Sequence, residues 1–334
     1  MQSFQLSYTV PPAPVSLKHQ DKVMLTGSCF TEHIGKQMSD CKMQVLNNPQ
    51  GILFNPMSIA SGLKAVMASR VYVPDDLFYL NEIWNSWDFH SRFSHTSQDE
   101  ALAGMNAAMA GAAVFLKEAR WLLVTFGSAY QYYTTPFAGH AGYGVANCHK
   151  APGNWFEKRL LSIEEMMIAW SQLITLLREY NPALRIVFTV SPVKHTRDGL
   201  VENNRSKARL IELAHLLSQD RESCTYFPAY ELVTDVLRDY RFFEQDMVHP
   251  NSLATQYVWQ QFVDAYMTQD DRALMQSLKE IDTAMQHRHR FPETAAALKF
   301  RERFWLKTKL LQEQYPYLDL QPELHFFAPG APLL

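Results

Sequence analysis

Four short apolar runs, each halting at a glycine or a serine, constrain what this chain can fold into more than any other feature. Lys22–Thr26 ends at Gly27, and Met43–Leu46 runs into the turn-rich Asn47-Asn48-Pro49-Gln50-Gly51. Arg120–Phe126 ends at Gly127, and Leu184–Val190 ends at Ser191-Pro192. A weaker fifth run is Thr225–Phe227. Stretches with helical spacing lie among them, at Thr31–Met38, Ser58–Val71, Ser162–Tyr180, Leu200–Gln219 and Leu253–Met267. Continuously apolar strands alternating with amphipathic helices predict a parallel sheet covered on both faces. The expected fold is a three-layer α/β/α sandwich around a mainly parallel five-stranded sheet of the flavodoxin-like kind. In such sheets ligands sit beyond the carboxyl ends of the strands. Gly27-Ser28-Cys29, Gly51, Gly127 and Ser191 all fall there.

Two segments break the alternation. Residues 74–98 are rich in Trp, Phe, His and Ser without a period, and read as an insertion over the cleft. From about Asp270 onward the chain is charged and helical. The expected division is a domain over 1–268 and a helical extension over 269–334. A chain of 334 residues, 47% hydrophobic and 19% charged, can bury a sizeable core and is not disordered. Its net charge of −3 gives no reason to expect nucleic acid or an anionic membrane as partner. Cys29, Cys41, Cys148 and Cys224 form no CxxC pair, which argues against a zinc site and a disulfide framework. No stretch approaches the roughly 20 apolar residues of a membrane span, and residues 1–14 lack a signal-peptide pattern. The expectation is a soluble cytoplasmic protein needing no metal or organic cofactor.

The chemistry-bearing residues lie far apart in sequence. Asp246 precedes His249 by three residues, close enough for its carboxylate to hold Nδ1 and leave Nε2 free to take a proton. Alone, such a pair more often caps a helix. Ser28 and Cys29 sit on a glycine turn between strand and helix, which exposes a side chain and aims backbone N–H groups at an oxyanion. Alone, Ser28 reads as a helix cap and Cys29 as a small buried residue. Asp235 and Asp239, with Arg238 and Arg241 beside them, read as a solvated ion-pair network rather than as acid and base.

Taken together, five stretches resemble the GSCFA family of bacterial proteins, grouped with the SGNH/GDSL hydrolases. They are Gly27-Ser28-Cys29-Phe30-Thr31, Asn147-Cys148-His149-Lys150, Ser191–His195, Tyr226–Glu231 and Asp239–Phe243 with Asp246–Pro250. Thr31 stands where the family name has alanine. The resemblance implies an SGNH-type fold and acyl transfer. Superposed without gaps on a GDSLT-like pattern, Cys29 takes the place of the nucleophile, with Asp246 and His249 completing the triad. A shift by one residue makes it Ser28. The implied oxyanion donors are the nucleophile's N–H, the Gly51 N–H and an Asn side chain. The Gly127-Ser128-Ala129 segment lacks that Asn, so Asn147, or Asn55 beyond Gly51, is the candidate amide. His149, His195 and His90 are secondary candidates for substrate contact, and Trp84–Ser91 for gripping a sugar ring or an amphiphile. The function implied is hydrolysis of a short acyl ester, with O-acetyl on a carbohydrate as the substrate suggested by analogy. The alternatives are an acyltransferase using the same triad and a non-catalytic binding module on a degenerate fold.

Overall fold

The computed structural model describes residues 6–220, 222–287 and 290–328. In chain order, β1 (Val23–Gly27) leads into α1 (Cys29–Asp40), and β2 (Val45–Asn47) into α2 (Pro56–Met67). The small strands β3 (Phe78–Leu80) and β4 (Ile83–Asn85) precede α3 (Gln98–Glu118) and β5 (Trp121–Phe126). Three more short strands follow, β6 (Tyr130–Thr134), β7 (Gly144–Val145) and β8 (Phe156–Leu160). Then come α4 (Ile163–Tyr180), β9 (Arg185–Val190), α5 (Leu200–Leu217) and β10 (Cys224–Tyr226). The short α6 (Ala229–Glu231) continues as a π-helical turn to Leu237, and α7 (Ser252–Tyr266) follows. Last are α8 (Gln269–Gln286), α9 (Ala295–Gln314) and α10 (Gln321–Phe327).

The main sheet has the order β10-β9-β5-β1-β2, and every neighbouring pair in it is parallel. This is the expected three-layer, doubly wound arrangement. Strand order reverses between β1 and β5, which opens a crevice at their carboxyl ends. β1 and β5 are buried at every position, as their unbroken apolar runs require. One face packs under α2, α3, α4 and α5, with Met109, Trp170, Phe188 and Leu210 in its core. The other packs under α1 and α7, where Phe30, Ile34 and Met38 meet Val258, Phe262 and Val263.

Two features depart from the sequence expectation. A 21-residue helix, α3, spans residues for which no element was anticipated, and its buried stripe is Ala101, Met105, Met109, Ala112 and Leu116. Between β5 and α4, where no element was anticipated either, lies an antiparallel sheet of order β7-β6-β8. Residues 74–98 do contain order, a β3–β4 hairpin. The C-terminal helices gather their own apolar cluster from Leu274, Leu278, Phe304, Leu311, Leu320 and Phe327. They meet the rest through Lys42, paired with Glu323 at 2.8 Å, and through His19, bonded to the Tyr317 hydroxyl at 3.0 Å.

Candidate active site

Gly27 ends β1 at φ +145°, and a Cβ there would lie 2.3 Å from the Thr125 oxygen, so only glycine lets β1 turn beside β5. Ser28 then takes the extended N-cap conformation, but its hydroxyl caps nothing. Its Oγ is buried with no hydrogen-bond partner, and the residue is 3% exposed. Cys29 opens α1 half-buried, as a free thiol. Burial pushes that thiol above its ordinary pKa; the Phe30 and Cys29 N–H groups work against the shift, Glu32 adds to it and Lys207 opposes it. Cys29 is therefore mostly a thiol at neutral pH, and an attack from it needs a base.

The candidate base is built locally, by the loop before α7. Asp246 Oδ1 accepts the Val248 and His249 N–H groups at 2.9 and 3.0 Å, and Oδ2 meets His249 Nδ1 at 2.6 Å. These bonds, the His249 backbone first, hold the Asp246 carboxyl down to about 2. A carboxylate so fixed keeps the Nδ1 proton and presents Nε2 as the basic nitrogen. The Glu244 N–H donates to the His249 carbonyl at 2.7 Å, and Asn251 caps α7 through the Leu253 and Ala254 N–H groups.

The loop after β9 joins this base to the strand ends. Lys194 N–H donates to the Val248 carbonyl at 3.2 Å, and His195 N–H to Asn203 Oδ1 at 2.8 Å. The His195 ring rests against Phe54 at 5.6 Å, and its buried Nε2 has no partner. Burial, then Lys207 and His249, bring His195 down to about 4, so it is neutral near pH 7. Lys207 lies beneath, 1% exposed, donating from Nζ to the Gly127 and Ser191 carbonyls at 2.7 Å each. Burial lowers its pKa to about 7, while Cys29 pulls it upward. Cys29, Lys207, His195 and His249 thus form a chain of electrostatic neighbours along the carboxyl edge of the sheet.

Sequence reasoning missed Lys207. The available signal was spacing, because Asn203, Ser206 and Lys207 continue the buried stripe of Leu210, Leu213, Ala214 and Leu217 on α5. A lysine in such a stripe is a group worth explaining.

Several expected oxyanion donors are engaged elsewhere. The Gly51 N–H donates to the Asn48 carbonyl at 2.8 Å, and the Gly127 N–H to the Phe54 carbonyl at 2.8 Å. Asn55 caps α2, accepting from Met57 and Ser58, while its Nδ2 donates to the Tyr130 carbonyl at 2.8 Å. Its amide is structural. Asn147 Oδ1 accepts the His149 N–H at 2.8 Å, closing a turn. At the start of α1 the Thr31 N–H bonds to the Ser28 carbonyl at 2.9 Å, while the Cys29 and Phe30 N–H groups face Sγ.

His149 stands in the wall of the insertion, its Nε2 on the Ser86 carbonyl at 2.7 Å and its ring near Phe78 and Trp87. His90 packs on Gly51, where an added Cβ would come within 2.2 Å of the His90 Cβ. Arg92, beside it, pairs with Glu32 of α1 at 3.3 Å. Asp239 pairs with Arg241 at 2.9 Å, the ion pair expected there. Among the described residues, no group of three or more His, Cys, Asp or Glu is placed to hold a metal ion, and no helix is long and apolar enough to cross a membrane.

Residues 22–262 match the GSCFA family, and residues 278–328 match the GSCFA domain protein, C-terminal domain. No curated protein matches the chain. Among solved structures it is similar to a carbohydrate esterase family 3 protein from Talaromyces cellulolyticus, at 10% identity and TM-score 0.34, covering 78% of this chain and 99% of that one. It is also similar to an acetyl xylan esterase from the rumen bacterium Butyrivibrio proteoclasticus, at 12% identity and TM-score 0.36, covering 76% and 64%. Likeness at this level carries no information on activity.

Proposed function

The chain belongs to the GSCFA family, and on that premise we propose that it is an SGNH-type esterase or deacylase acting through Cys29, His249 and Asp246. The observation that carries the reading is the 2.6 Å contact of His249 Nδ1 with Asp246, on a loop bonded to the segment that follows β9. His249 Nε2 takes the proton from Cys29 Sγ as sulfur bonds to the ester carbonyl carbon. The oxyanion so formed is held by the unpaired N–H groups at the start of α1. Collapse breaks the acyl C–O bond, and the leaving alkoxide takes the proton back from His249. Water, deprotonated by His249, then attacks the thioester, releasing the carboxylic acid and restoring the thiol. Cys29 is favoured over Ser28 because it is the more accessible of the two. The substrate proposed is a short acyl ester, with O-acetyl on a carbohydrate as the form suggested by analogy with the family.

Lys207 supports this assignment as a positioning residue. A protonated amine under the turn favours both the thiolate and the oxyanion without touching substrate. The engaged Gly51 and Gly127 N–H groups and Asn55 amide favour a rival, a binding module without turnover.

Cys29→Ala and His249→Ala are each expected to lower hydrolysis of p-nitrophenyl acetate by roughly 10³-fold or more at unchanged melting temperature. Absence of turnover by the wild-type protein on any of a panel of short acyl esters would sink the hydrolase reading. Acyl transfer to an added alcohol, outpacing release of free acid, would move it to a transferase.

A further inference from the structure

A groove of about 750 Å³ opens on the molecule, with Cys29 not among its lining residues. Its walls are α2, the β7-β6-β8 sheet and the chain around Arg70–Asp88. That size falls in the range of ordinary small-molecule sites. We propose that this groove binds a neutral oligosaccharide. As a plain binding site the assignment is independent of the catalytic reading; as the sugar subsite of an ester substrate it rests on that reading.

The chemistry of the lining carries the inference. Tyr133 and Tyr143 offer half-buried rings to the C–H faces of a sugar, while Gln50, Gln131, Ser58 and Asp88 supply donors and acceptors around them. A fatty acyl chain would leave the Gln50 Nε2 donor unsatisfied. Of the two cations in the lining, the Arg70 guanidinium is already shared between Asp76 at 2.6 Å and Asp88 at 3.2 Å, which leaves Lys64 as the one an anion would have to use.

The wall is also rigid before any ligand arrives. Asp88 accepts from the Tyr143 hydroxyl, from the Tyr72 hydroxyl at 3.2 Å and from Arg70. The Arg70 guanidinium lies 4.4 Å over the Tyr72 ring, and Tyr72 meets Phe89 edge-on at 4.9 Å. Gln131 Nε2 is fixed on the Val145 carbonyl at 2.8 Å. Aromatic and amide groups held this way lose little freedom on binding.

Gln50 supplies an independent sign of a built site. It is 5% exposed, lines the groove, and its Nε2 has no hydrogen-bond partner. It packs closely on α2, where a Cβ on Gly62 would lie 2.2 Å from Gln50 Oε1, the far end of the side chain. Gln50 is thus lodged against the mid-helix Gly62 as a buried amide with an unused donor. A ligand hydroxyl satisfies that donor. Gln50 also directly precedes Gly51, and its carbonyl accepts the His90 N–H at 3.0 Å. The groove and the strand-end site therefore share a wall.

The test is calorimetric titration of the whole protein with xylotriose, cellotriose and chitotriose, with inorganic phosphate as the anionic arm. At least one neutral trisaccharide is expected to bind, and Tyr143→Ala and Gln50→Leu should each weaken it roughly tenfold or more. Tyr143→Phe, which keeps the ring and loses only the bond to Asp88, serves where the larger change unfolds the protein and should weaken binding less. Cys29→Ala should bind as the wild type does. The assignment is overturned if no trisaccharide binds, if phosphate alone binds, or if binding survives both groove substitutions. Ester turnover without saccharide binding removes the groove and leaves the hydrolase. Saccharide binding without turnover does the reverse.

Discussion

Lys207 brings a positive charge into the interior with two carbonyl oxygens as its hydrogen-bond partners. Desolvation of an ammonium is costly, so its place beneath the nucleophile turn calls for a function. The groups around it are Cys29, the neutral His195 and the Tyr230 ring at 5.9 Å. Removing the charge takes away the one cation that lowers the Cys29 pKa. Lys207→Met should therefore shift the pH profile of iodoacetamide alkylation at Cys29 upward from its already raised position. An unchanged profile would show that the charge does not reach the sulfur. Cys29 should also react ahead of Cys41 and Cys148, which burial pushes up to about 11. The strand-end turn and the Asp246–His249 pair were legible in sequence because short-range spacing defines both. Lys207 was not, because Glu202, Asn203, Asn204 and Arg205 before it give that half of α5 a polar, solvent-facing look.

At the scale of elements, the central strands were readable because both faces of the sheet are covered, which leaves unbroken apolar runs. Helix α3 was not. Its buried stripe is mostly alanine and methionine, and Gly104 and Gly111 interrupt its exposed face. Both glycines have open space where a Cβ would go. Gly104→Ala and Gly111→Ala should each stabilise the protein by about 0.5–1 kcal/mol in urea unfolding. Gly62→Ala should stabilise it less than these two, because its methyl group must displace the end of the buried Gln50 side chain. The β7-β6-β8 sheet was hidden for another reason: its strands are short, and Phe156–Leu160 alternates half-buried with exposed residues rather than showing an apolar run. Asn55 belongs to the same scale. It caps α2 and ties it to the chain after β5, so Asn55→Ala is expected to cost about 1–3 kcal/mol of stability. A variant as stable as wild type but catalytically dead would instead return Asn55 to the oxyanion site.

The whole molecule holds several histidines below their ordinary pKa by burial, among them His19 and His149, with His195 lowest at about 4. A histidine with a depressed folded-state pKa adds stability that is complete above its unfolded value near 6.5 and is lost as pH falls through its folded value. His195 alone corresponds to about 3 kcal/mol over that window. Urea midpoints should thus fall steeply between pH 6.5 and 4, and His195→Phe should flatten the slope. His19 joins the first part of the chain to the C-terminal helices, so acid should loosen that junction as well. The proposed triad likewise pairs residue 29 with a base more than 200 positions later in the chain. The most direct test of the account is mass spectrometry of the wild-type protein, acid-quenched during turnover of p-nitrophenyl acetate and digested. The account predicts one acetyl group on the peptide carrying Cys29, released by hydroxylamine as a thioester. Acetyl on Ser28, or turnover with no acetyl on either residue, would contradict it.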